Sequence, residues 1–152
     1  MKVLIVSANR NRFPMPVIPL GACLAADAAS KSGHNVRFLD LMFERKPLAS
    51  ARKEIEKFKP DLIGLSVRNI DNNDMHAPQF YIEEIRALTE HIKSLTDVPI
   101  LLGGAGVAVM PEEILRYTGI SLAVVGNGSS VFPRLLHAIS LKSSPADILG
   151  AA

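Results

Sequence analysis

A chain of 152 residues, 48% apolar but only 5% aromatic and without tryptophan, suits one domain with an aliphatic core; such a domain buries roughly 70% of its unfolded-chain surface and needs no covalent staple. A formal charge of +2 excludes the broad cationic face of a nucleic-acid binder or of a protein held to an anionic membrane. The single cysteine, Cys23, excludes an internal disulfide and any thiolate-held cluster built from this chain alone.

The opening Met1-Lys-Val-Leu-Ile-Val-Ser7 is too short for a signal segment with a cleavage site and predicts a first strand. No apolar run approaches the roughly 18 residues of a membrane span, and a cytoplasmic protein is expected. Leu20, Cys23, Leu24 and Ala28 follow at helical spacing, which places Cys23 on an apolar face as a small core residue. Ser32-Gly33-His34 ends that helix, and Val36 to Leu39 predicts a second strand. Leu48, Ala51, Ile55 and Phe58 mark a second helix, Pro60-Asp61 opens a third strand at Leu62 to Leu65, and Ile82, Ile85, Leu88, Ile92 and Leu95 mark a third helix. Asp97-Val98-Pro99 opens a fourth strand at Ile100 to Leu102, and Pro111-Glu112-Glu113 starts a fourth helix with proline and carboxylates in its first turn. A fifth strand is expected at Leu122 to Val125. A last helix carries Val131, Leu135, Leu136 and Ile139, where capping by Ser129 or Ser130 would make Pro133 tolerable. The domain is expected over residues 1–142, with residues 143–152 a fraying tail or the start of a linker.

This βαβ alternation predicts a three-layer α/β/α domain around a five-stranded doubly wound parallel sheet of flavodoxin-like (Rossmann-like) order 2-1-3-4-5. In that order the winding reverses between strands one and three, and ligands bind outside their carboxyl ends. Two unusually long connections flank that point, Ala8 to Pro19 and Arg68 to Gln79. Ser66 ends strand three with a hydroxyl and little bulk. Gly103, Gly104 and Gly106 let a ligand approach backbone N–H groups closely, and Gly126-Asn127-Gly128 leads into a helix whose free N–H groups suit a phosphate or amide. Asn9 and Arg10 lie in the first long loop, and Arg68 and Asn69 begin the second; an Arg68 ion pair to Asp71 or Asp74 is the alternative that merely orders the loop.

Seven segments in this order and spacing resemble the amino-terminal cobalamin-binding domain of B12-dependent radical S-adenosylmethionine enzymes, across nearly the whole chain. They are Val6-Ser-Ala-Asn-Arg10, Pro19-Leu-Gly21, Ser32-Gly-His-Asn-Val36, Leu65-Ser-Val-Arg-Asn-Ile-Asp71, Gly103-Gly-Ala-Gly106, Pro111-Glu-Glu113 and Gly126-Asn-Gly128. The resemblance implies a module that binds and positions cobalamin (B12). Its contacts would come from Ser7, Asn9 and Arg10; from Ser66, Arg68 and Asn69; from Gly103, Gly104 and Gly106; and from Gly126, Asn127 and Gly128. The family commonly carries Gly-Glu-Gly-Glu where this chain has Gly126-Asn127-Gly128-Ser129, so contacts made through those acids do not carry over. The Asp-x-His-x-x-Gly motif of other cobalamin modules is missing, because Ser7 to Gly21 holds no histidine. No metal ligand is assigned.

Radical S-adenosylmethionine chemistry needs three cluster-binding cysteines, so this chain cannot catalyse it alone. The iron-sulfur cluster and S-adenosylmethionine would belong to a radical SAM domain, in cis on a longer polypeptide or in trans on a partner, acting on a small-molecule substrate by methyl transfer or radical rearrangement. Two other readings are weaker. A standalone flavodoxin-like binder of a nucleotide or flavin lacks Gly-x-Gly-x-x-Gly after strand one and a P-loop Lys-Ser/Thr. A signalling receiver needs a phosphoacceptor aspartate after strand three, where Ser66 stands.

Overall fold

The computed structural model describes residues 1–141 and 143, so the expected tail, Ser143 apart, lies outside the described residues. The elements in chain order are β1 (Lys2–Ser7), α1 (Leu20–Lys31), β2 (Asn35–Asp40), α2 (Pro47–Phe58), β3 (Leu62–Ser66), α3 (Ile82–Leu95), β4 (Ile100–Gly103), α4 (Ala105–Val109), α5 (Pro111–Thr118) and α6 (Gly128–Ser140). The sheet is parallel, in the order β2-β1-β3-β4. Val3 to Ser7 of β1 pair in register with Leu62 to Ser66 of β3, so β1 and β3 are neighbours and the winding reverses between them.

Four strands form where five are expected. The run Leu122 to Val125 reaches only a parallel bridge between Leu102 and Ala123, made by Leu102 N–H to the Leu122 carbonyl at 3.0 Å and Val124 N–H to the Leu102 carbonyl at 2.8 Å. The cause is geometric: β4 has four residues, and the run is closed in by Gly119 and Gly126, both at positive φ. There is little ladder to extend.

Alternating strand residues serve two cores. Leu4, Val6, Ile63, Leu65, Ile100 and Leu102 pack with α2, α3 and α5, while Val3, Ile5, Leu62 and Leu101 pack with α1 and α6. Each fully buried aliphatic side chain contributes roughly 1.5–3 kcal/mol of transfer free energy, and layers on both faces give the three-layer arrangement.

Two local expectations are corrected. On α1 the buried side is alanine, with Ala22 and Ala29 inside and Ala25 and Ala26 partly so, whereas Leu20 and Leu24 are exposed and so is Cys23. Small residues bring α1 close to the sheet and to α6, and the larger ones turn outward. On α6 the cap is Asn127, not Ser129 or Ser130: its side-chain oxygen accepts Ser129 N–H at 3.1 Å and Ser129 Oγ–H at 2.7 Å. Helix α6 therefore starts at Gly128, and Pro133 deprives only the exposed Ser129 carbonyl, which water can satisfy. No helix among the described residues is long and apolar enough to cross a membrane.

Candidate functional site

On the face toward α1 and α6, side chains shrink along each central strand toward its carboxyl end. Strand β3 reads Leu62, Gly64, Ser66, and β4 reads Leu101, Gly103. The missing side chains leave a groove of about 250 Å³ between α1 and α6. Ile5 and Phe132 form its apolar floor, Gly21, Ala22 and Ala25 of α1 one wall, and Gly126 and Gly128 the other, with Ser66, Gly103 and Gly104 at the mouth. A Cβ on Gly64 would meet Ile5 Cδ1 at 3.0 Å and Phe132 Cζ at 3.7 Å, so the depth depends on that glycine. At Gly21 and Gly126 a Cβ would meet nothing within 4 Å and would project into open space. The Ser66 hydroxyl makes no hydrogen bond to the rest of the described chain and is half-buried, free to donate or accept.

Beyond the strand ends the ladder continues through two single bonds, Ala8 N–H to the Ser66 carbonyl at 3.0 Å and Val67 N–H to the Gly103 carbonyl at 2.7 Å. Past this ridge, toward α3, lies a polar cleft of about 330 Å³ whose lining includes Asn9, Arg10, Arg68, Asn69, Tyr81 and Glu84. Arg10 divides its guanidinium between the Glu44 carbonyl at 3.4 Å and the Glu84 carboxylate at 3.6 Å. Its Nε is shut away from solvent without a partner among the described residues, which costs about 1–3 kcal/mol unless a ligand supplies an acceptor. Arg12 is spent on the Met42 carbonyl, at 3.1 and 2.9 Å from Nε and Nη2.

Arg68 is exposed and pairs with neither aspartate; loop backbone instead bonds one oxygen of each, Asp71 accepting Asn73 N–H at 2.9 Å and Asp74 accepting His76 N–H at 2.9 Å and Ala77 N–H at 3.2 Å. The alternative in which an ion pair orders this loop is thus replaced by Asx turns.

The residues singled out from sequence fall into three groups. Ser66, Gly103, Gly104, Gly126 and Gly128 line the groove. Asn9, Arg10, Arg68 and Asn69 line the polar cleft. Ser7, Gly106 and Asn127 line neither: Ser7 is 2% exposed, Gly106 is buried with its N–H on the Val67 carbonyl at 3.0 Å, and Asn127 caps α6. Sequence reasoning missed Gly21, Ala22, Ala25, Gly64 and Phe132. A signal was present in the small-residue stripe Gly21, Ala22, Ala25 at helical spacing, and in a glycine inside a strand pattern at Gly64.

Comparison with known proteins identifies the family and the fold. The B12 binding domain family matches residues 6–136. The radical S-adenosylmethionine methyltransferase TsrM from Kitasatospora setae, solved with cobalamin and a 4Fe-4S cluster bound, superimposes with a TM-score of 0.90 at 32% identity, over 99% of this chain and 26% of that one. Tryptophan 2-C-methyltransferase of Streptomyces laurentii is 25% identical over 140 residues, 91% of this chain and 23% of its own length. Hopanoid C-3 methylase of Methylococcus capsulatus is 24% identical over 135 residues, 87% of this chain and 24% of its own length. The chain therefore spans about a quarter of the length of the relatives it matches.

Proposed function

The chain belongs to the B12-binding domain family, and from that premise we propose that it holds cobalamin for a radical S-adenosylmethionine domain, in cis or in trans, that performs methyl transfer or radical rearrangement on a small molecule. The observation that carries the reading is the narrowing of β3 and β4 to Gly64, Ser66 and Gly103 on one face, which opens the groove beside α1. At about 250 Å³ it lies just under the range of roughly 300–1,000 Å³ for pockets that enclose a whole small ligand. It suits the nucleotide tail of a corrinoid, with the ring left outside across the carboxyl edge of the sheet. Gly21, Gly103, Gly104, Gly126 and Gly128 would wall the tail, and Ser66 would hydrogen-bond it at the mouth.

In the polar cleft, Asn9, Asn69, Arg68 and the unpartnered Nε of Arg10 would meet the amide arms of the ring. Ser7, Gly106 and Asn127 would act by holding backbone in place. When bound, cobalamin supplies a cobalt centre able to accept and release a methyl group; this chain's part is to bind and orient it. A reducing cytoplasm, which would spare both the exposed thiol of Cys23 and a partner's cluster, belongs to the same reading.

Titration with hydroxocobalamin and, separately, FMN, followed by visible absorption, tests it. A saturable change in the cobalamin spectrum with none for FMN is expected. Saturable FMN binding without a cobalamin response would install the flavin alternative instead.

A further inference from the structure

The two long loops meet away from the groove, and there they expose aromatic rings. Phe13 of the β1 loop is 85% exposed and Phe80 of the β3 loop 65%, and both border a cavity of about 490 Å³ between the loops. Met75, on the same β3 loop, is 95% exposed. This exposure sits on tied-down backbone. The β1 loop is anchored by the bidentate Arg12 contact to Met42. The β3 loop closes as a hairpin, with Asp71 bridged to Phe80, Asn72 N–H on the Gln79 carbonyl at 3.1 Å and Tyr81 N–H on the Ile70 carbonyl at 2.8 Å.

Large apolar side chains held out on ordered loops mark a surface that is covered in use. The β1 side of the rim has the composition of a protein interface core, since residues 9–20 hold Phe13, Met15, Arg10 and Arg12 and no Lys, Asp or Glu, while the β3 hairpin adds Met75, Phe80 and Tyr81 beside Asp71 and Asp74. The cavity between the loops shares Arg10, Arg12, Tyr81 and Glu84 with the polar cleft and nothing with the groove. A corrinoid whose tail fills the groove would reach the cleft first, and the rim lies one step beyond.

We propose that the rim formed by Phe13 and Phe80, with Met75 on the hairpin beside it, is the docking surface for the iron-sulfur domain of a TsrM-type enzyme. This rests on the functional reading above. That domain must face the ring at the carboxyl edge to reach cobalt, the rim lies on that edge, and the relatives devote about three quarters of their length to sequence outside the matched region.

Methionine oxidation footprinting tests the assignment. Oxidation at Met75 is compared in the isolated chain, in the chain with hydroxocobalamin, and in Kitasatospora setae TsrM whose matching region is replaced by this chain. Met75 should oxidise equally in the first two and roughly tenfold more slowly in the third, since susceptibility follows exposure; a Phe13→Ser, Phe80→Ser chimaera should lose that protection. Equal rates in all three would overturn the proposal, and so would protection by hydroxocobalamin alone, which would make the rim part of the ring's platform. A chimaera that is soluble only with the two serines would overturn it too, as would one insoluble in both forms, because complementarity to that domain is the claim. The spectrum of the isolated chain with hydroxocobalamin reads the functional assignment separately.

Discussion

Gly104 and Val67 touch backbone to backbone: a Cβ on Gly104 would overlap the Val67 carbonyl, and Gly104 sits at φ 100°. This contact joins the end of β4 to the ridge beside the groove, since the same carbonyl accepts Gly106 N–H. Gly104→Ala should therefore cost about 2–4 kcal/mol, combining positive-φ strain with steric overlap. Gly106→Ala, with Val67 atoms at 3.1 Å, should cost less, roughly 1–2 kcal/mol. Urea denaturation reads both, and a Gly104→Ala protein as stable as the parent would show that the two segments separate readily.

Asn127 supplies the only side-chain N-cap among the helices described. Asn127→Ala should lower stability by about 1 kcal/mol, and Asn127→Asp should retain most of it. If the residue contacts ligand instead, alanine would weaken cobalamin binding without moving the denaturation midpoint.

Arg68 carries no structural partner among the described residues, so Arg68→Ala should leave stability within about 0.5 kcal/mol while weakening hydroxocobalamin binding or altering the visible spectrum of the complex. Unchanged affinity together with an unchanged spectrum would remove Arg68 from the site.

His34 links stability to pH. Burial first, then the Met1 amino group 3.4 Å from Nδ1, then His137 hold its imidazole below the ordinary 6.5. Arg134 and His137 of α6 face the same recess, and among the described residues no carboxylate lines it. Because the folded state disfavours the proton, the contribution is complete above about pH 6.5 and is lost as pH falls from there through the lower folded value. His34→Gln should flatten that segment of the stability curve, and denaturation midpoints measured across it provide the check. A parent curve already flat there would contradict the assignment.

Much of this fold was legible in the sequence because β1, β3 and β4 are buried on both faces, and such strands read as continuous apolar runs; β2 is partly exposed along its length. The parallel order followed from the βαβ alternation. The fifth strand was overread, since an apolar run says nothing of how many ladder bonds its neighbour offers, and β4 ends after four residues. The orientation of α1 was misread for a related reason: Leu20, Cys23 and Leu24 have helical spacing, yet close packing selected the alanines for the inside. The groove's mouth was visible as Ser66 and the glycines at strand ends. Its depth was not, because Gly64 and Gly21 leave space only in combination with Ile5, Phe132 and the approach of α1 to α6. Arg10 and Arg68 look equivalent in sequence, but Glu44 and Glu84 engage the two terminal nitrogens of Arg10, while Arg68 has no side-chain partner among the described residues.

If the space beside α1 receives the corrinoid's tail, Gly21→Leu should close it. A Cβ at Gly21 meets nothing within 4 Å, and replacing a helical glycine favours folding by roughly 0.5–1 kcal/mol, so the variant fills the groove without unfolding the chain. Equilibrium dialysis of hydroxocobalamin against the parent and Gly21→Leu should show binding by the parent and loss of it in a variant at least as stable. Equal binding by both would place the corrinoid elsewhere and contradict the account.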